Sequence, residues 1–195
     1  MDIFNANPLV VRQPKRFMVD VSDYEVYDAY GRPIAQVREQ GADGGMQVLR
    51  ALSRNTGGFE RRVHVNDMYG RTGLVIQKHW SWMTASTSVN LPDGRSVGTI
   101  EQDLKFFGSK FTLMDPWKRV VGGIEGDFIG MDFRLKDHAD HEIARVDRRM
   151  PDLGELFTTA DSYALHRRYP SLPRPLGTLV VASAIAIDLV LKEGK

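Results

Sequence analysis

The chain has no cysteine among its 195 residues. That absence removes disulfides, thiolate metal sites, thiol nucleophiles and S-acylation. Charge of one sign is also scarce, since 26 Lys+Arg face 25 Asp+Glu for a formal balance of +1. A protein that grips phosphate backbones with its whole surface carries a large basic excess or stripe, so nucleic acid is not an expected partner and any basic site is local. Long hydrophobic runs are missing too. The longest, Leu176 to Leu191, has 16 residues and contains Asp188, short of the ~20 that a membrane-spanning helix needs. Residues Met1 to Pro8 lack the basic and apolar regions of a secretory signal, which with the missing cysteine points to a cytoplasmic address. There is no Gly-x-Ser-x-Gly elbow, no phosphate-cradling Gly-x-x-x-x-Gly-Lys and no His-Glu-x-x-His, so the expectation is a protein that is not an enzyme and has no cofactor.

What is present is an ordinary globular composition, 42% hydrophobic and 26% charged, enough to bury one core. One phrase recurs five times. It runs Asp28-Ala29-Tyr30-Gly31-Arg32, Asp67-Met68-Tyr69-Gly70-Arg71, Leu91-Pro92-Asp93-Gly94-Arg95, Asp115-Pro116-Trp117-Lys118-Arg119 and Asp137-His138-Ala139-Asp140-His141. Asp first, Pro second and Gly fourth is turn chemistry: the carboxylate bonds the backbone ahead, Pro presets φ, and Gly accepts a left-handed conformation. Before the tips, Tyr24 and Val26, Val63 and Val65, Phe111 and Leu113, and Ile129, Met131, Phe133 and Leu135 alternate as half-buried strands do. Trp80 and Trp82 share a strand face. The tips at Gly70, Gly94, Lys118 and Asp140 are 24, 24 and 22 residues apart, room for a strand out and a strand back. The spacing predicts about ten to twelve short antiparallel strands.

The pattern ends at Pro170-Ser171-Leu172-Pro173-Arg174-Pro175, a stiff connector. Leu176 to Leu191 follows, apolar nearly all round and longer than a typical strand. A helix of that kind belongs inside a core, and a barrel of about eleven strands is wide enough to hold one.

Several stretches carry a family resemblance: Tyr24-Glu25-Val26-Tyr27-Asp28-Ala29-Tyr30-Gly31, the repeated Asp-x-x-Gly-Arg tips, Thr159-Ala160-Asp161-Ser162-Tyr163-Ala164-Leu165 and Ala184-Ile185-Ala186-Ile187-Asp188. In this order the chain resembles the tubby C-terminal-like superfamily, in its branch of phospholipid-scramblase-related and LURP-one-related proteins. The resemblance implies an N-terminal tail over 1–16, then a single domain over 17–195, a closed antiparallel β-barrel of twelve strands around a hydrophobic C-terminal helix. It also implies a non-enzymatic protein, peripheral to the membrane, that binds the membrane surface or anionic phospholipid headgroups. The alternatives are a soluble regulatory or protein-interaction module without lipid binding and a phospholipid scramblase. The scramblases' acidic calcium-binding stretch is replaced here by His166-Arg167-Arg168-Tyr169 after Asp161, which argues against calcium dependence.

Three basic clusters are the candidates for lipid or anion binding: Arg61 with Arg62, Arg148 with Arg149 beside Arg145, and Arg167 with Arg168. Arg167 and Arg168 lead, because the connector after them is stiffened by proline. Asp137-His138-Ala139-Asp140-His141-Glu142 gathers metal-ligand types, but it is a hairpin tip, where polar residues serve the turn, and no metal is expected. Asp188 and Ser183 are the unexpected polar residues of the terminal helix, to be hydrogen-bonded near the barrel mouth.

Overall fold

The computed structural model describes residues 2–13, 23–40, 61–80, 85–102, 110–127, 132–147 and 162–191. After a 3-10 turn at Asp2–Phe4 come twelve strands, β1 (Leu9–Arg12), β2 (Tyr24–Tyr27), β3 (Pro33–Glu39), β4 (Arg61–Asp67), β5 (Thr72–Trp80), β6 (Ala85–Asn90), β7 (Ser96–Gln102), β8 (Lys110–Met114), β9 (Val120–Asp127), β10 (Asp132–Asp137), β11 (Glu142–Asp147) and β12 (Ser162–Arg167). One helix, α1 (Leu176–Leu191), ends the described chain. Each strand pairs antiparallel with its sequence neighbours, and β1 pairs with both β2 and β12, closing the barrel as expected. Part of the stretch expected as a tail is therefore wall: Leu9–Arg12 is a strand, and the barrel begins before residue 17.

The five repeated phrases form tight hairpins, and each is built the same way. The first residue donates its N–H to the fifth residue's carbonyl and accepts the fourth residue's N–H, at 3.0 and 3.1 Å in the Asp28 turn and 2.9 and 2.9 Å in the Asp67 turn. The fourth residue is left-handed in all of them, with φ of 74, 80 and 86° at Gly31, Gly70 and Gly94, and 63 and 66° at Lys118 and Asp140. A bulge sits just before each tip, between Val26/Tyr27, Val65/Asn66, Val89/Asn90, Leu113/Met114 and Leu135/Lys136. This is the type I turn with a left-handed bulge residue that suits the right-handed twist of paired strands.

The alternating residues point inward: Tyr24, Val26, Val63, Val65, Phe111, Leu113, Phe133 and Leu135 are all buried. They pack on α1, whose described side chains from Leu179 to Ile187 are at most 1% exposed. That enclosure explains why the helix is apolar all round. Its Ser183 hydroxyl donates to the Leu179 carbonyl one turn back at 2.7 Å. Glycines in the wall make room: a Cβ on Gly98, at φ +150°, falls 2.1 Å from the Met114 carbonyl oxygen and 3.2 Å from Leu179 Cδ1. Among the described residues no helix is long and apolar enough to cross a membrane. Trp82, Ile129, Met131 and Asp161, with the side chains of Trp80 and Asp188, lie outside the described residues.

Candidate functional site at the hairpin end of the barrel

Closure gives the barrel two ends. The five tips join β2 to β3, β4 to β5, β6 to β7, β8 to β9 and β10 to β11, so all lie at one end. The start of β1 and the end of β12 lie there too, because β12 runs antiparallel to β11 and β1 antiparallel to β2. So does the start of α1, since Leu176 packs beside Gly122 near the beginning of β9. At the other end, the buried Lys78 on β5 points its ammonium 3.5 Å from the Leu189 carbonyl oxygen.

At the hairpin end each turn is held by a carboxylate. Asp28 Oδ1 accepts the N–H of Tyr30 at 2.9 Å and of Arg32 at 3.0 Å, while Oδ2 accepts Arg32 Nε at 2.7 Å. Asp67 repeats this with Tyr69 and Arg71, and Asp115 with Trp117 and Arg119. Asp137 bonds the Ala139 and His141 amides and the His141 ring. The Leu91 turn has its Asp at the third position instead, where Asp93 accepts Arg95 N–H at 3.1 Å and Nε at 2.7 Å. All five carboxyls titrate below the ordinary aspartate value. At Asp28 and Asp115 burial pushes upward, but the bonds from the fifth residue's amide and guanidinium outweigh it. At Asp67, Asp93 and Asp137 the fifth residue's backbone N–H is the leading cause.

With the Arg anchored, its guanidinium lies over the third residue's ring, 5.3 Å from the centroid at Arg32–Tyr30, 5.4 Å at Arg71–Tyr69 and 5.0 Å at Arg119–Trp117. The rings do not fold into the barrel: Tyr30, Tyr69 and Trp117 are 84, 86 and 74% exposed. Met68, Val120 and Tyr169, the other large hydrophobic residues exposed among those described, belong to the same end. Exposed hydrophobic side chains are normal one at a time; among the described residues these six share the hairpin end.

The four described arginines of the six singled out in the sequence do not share an end of the barrel. Arg61 opens β4, and its tip follows Asp67, so Arg61 and Arg62 lie at the end away from the tips, roughly 20 Å off at ~3.3 Å per residue. Arg61 is buried, in step with the inward Val63 and Val65 and paired in register with Lys78, while Arg62 is exposed. Arg148 and Arg149 lie outside the described residues. Arg167 and Arg168 are at the hairpin end, where Arg168 is exposed and donates to Glu142 Oε1 at 2.7 Å. Arg167 is only 8% exposed; its Nη1 donates to the Phe4 carbonyl at 2.7 Å and its Nη2 to the Ala6 carbonyl at 2.8 Å. Tyr30, Arg32, Tyr69, Arg71, Trp117 and Arg119 were not among the candidates. Their signal was the repeat itself, an aromatic third and an arginine fifth in three of the phrases.

Two clefts flank the N-terminal segment at this end. One of about 520 Å³ lies between Asn5–Asn7 and the first tip, lined by Tyr30 and Arg32. The other, about 180 Å³, lies at the start of α1 beside Arg167.

The family described as Scramblase matches residues 20–193 of the chain. No curated protein and no solved structure matches it.

Proposed function

From the premise that this chain belongs to the scramblase family, we propose that it binds phospholipid membrane surfaces, non-enzymatically, through the hairpin end of its barrel. The grouping of exposed Tyr30, Tyr69 and Trp117, each under an arginine, carries this reading. An aromatic ring with a polar handle suits the headgroup layer, where one side is apolar and the other wet. A guanidinium there reaches phosphate oxygens bidentately. Each of these arginines is already paired with its own aspartate, so the tips carry little net charge and the ring supplies more of the attraction than the ~1 kcal/mol expected of an unpaired cation near an anionic bilayer.

Co-sedimentation with vesicles of anionic and of neutral lipid, at low and high salt, tests this. The protein is expected to pellet with anionic vesicles at low salt and to be only partly released by high salt. The triple variant Tyr30→Ala, Tyr69→Ala, Trp117→Ala is expected to stay in the supernatant while melting close to the unaltered protein, since the rings are outside the core. A protein that never pellets with anionic vesicles at low salt, where screening is least, overturns the proposal. So does a triple variant that binds undiminished.

A further inference from the structure

We infer that the smaller cleft, at the N-terminus of α1, is a binding site for a phosphate group, held by Arg167 and Arg174. The site itself stands on its own residues, and its lipid identity rests on the membrane reading above.

Among the described residues, Arg167 is a buried cation without a counter-ion. Its two terminal nitrogens donate to neutral carbonyls of Phe4 and Ala6, its Nε is enclosed with no acceptor, and no carboxylate among the described residues reaches it. Burial draws its pKa below the ordinary arginine value, which still leaves an arginine protonated. A buried charge is ordinarily paired, and among the described residues no carboxylate is that partner.

The surroundings add positive potential. The cleft lies at the N-terminus of a 16-residue helix whose first turn contains no acidic residue, so the positive end of the helix dipole is uncompensated. Arg174, exposed and making no hydrogen bond or ion pair among the described residues, also lines it, together with Asn5, Ser171 and Thr178. No lining residue among those described is acidic. The amides of Gly177, Thr178 and Leu179 are taken by the carbonyls of Pro173 and Pro175, so recognition falls to the side chains and the dipole. At about 180 Å³ the cleft has room for a phosphate group.

Inorganic phosphate is the first probe. Melting of the whole protein is followed against phosphate at constant ionic strength, with chloride as the reference salt. A saturable rise in melting temperature is expected, and Arg174→Ala, which removes an exposed side chain, is expected to weaken the apparent affinity about tenfold or more without altering melting in chloride. Thr178→Val is a second variant, expected to weaken it less. No phosphate-specific rise in the unaltered protein, or an unchanged titration in Arg174→Ala, overturns the site. Vesicles containing phosphatidic acid distinguish the sources: competition between phosphate and vesicles assigns the group to a lipid headgroup, and titration without competition assigns it to a soluble phosphate ester, both supporting the site. The tip variant separates the two proposals, because loss of its vesicle binding with an intact phosphate titration supports both, and failure of either measurement alone overturns only its own.

Discussion

Three of the five hairpin tips carry an aromatic ring at the third position and two do not, yet their backbones are alike. Tyr30, Tyr69 and Trp117 occupy the position that Asp93 and Ala139 fill in the other turns, with the same pair of backbone bonds and the same left-handed fourth residue. The turn therefore does not require the ring. What it requires is a carboxylate that gathers the following amides and a fourth residue able to adopt positive φ. The rings, mostly exposed, stabilise the tip only by a cation–π contact of ~0.5–1 kcal/mol. Side chains that the fold does not need, placed together on one end, are better explained by what they touch.

The largest expected effect falls on the scaffold that both kinds of tip share. Gly98→Val drives a side chain into the Met114 carbonyl and Leu179, and should cost about 3 kcal/mol or more, read as a collapse in the denaturation midpoint. If that variant melts like the parent, the close approach of wall and helix is not what holds the tips in register.

Acid should act on both kinds of tip together. Because the five aspartates have folded pKa values below their unfolded ones, their contribution is fully present above about pH 4, the ordinary aspartate range, and is lost as pH falls through the depressed folded values. Melting temperature followed from pH 6 downward should hold until about pH 4 and then drop; a decline already complete above pH 5 would assign the sensitivity to other groups. Asp115→Ala should remove more of this acid dependence than Asp93→Ala, because Asp115 is almost wholly enclosed and accepts two amides and a guanidinium.

A transplant sharpens the comparison. Ala139→Trp gives a bare, exposed tip a ring without altering its turn, and is expected to strengthen vesicle binding severalfold at unchanged melting. No gain would mean that the positions of the three natural rings matter, not their number. The smallest effect is expected at the fourth position, where Asp140→Gly relieves a left-handed non-glycine residue. The gain is ~0.5–1 kcal/mol at most, offset by the greater freedom of glycine in the unfolded chain and by loss of the exposed Lys136 contact.

Much of this molecule was legible as text because its turns and helix are local. Each hairpin is closed by bonds within five residues, so Asp28 to Arg32 or Asp115 to Arg119 announces its geometry without knowledge of the rest. Leu176 to Leu191 is apolar nearly all round, which a surrounding wall or a membrane satisfies. Alternation even contained the fate of Arg61, two residues before Val63 and so on the inward face.

Only the closed barrel decided which of these pieces meet. Nothing local reveals that β1, part of a stretch expected as a tail, pairs with β12. That closure carries Phe4 and Ala6 to Arg167, turning an apparent surface arginine into a buried one. It also places Arg167 at the end opposite Arg61. Hydrogen bonds over two to four residues are written in composition and order, whereas those between residues 4 and 167 depend on every strand between them being paired, which the tertiary structure alone supplies.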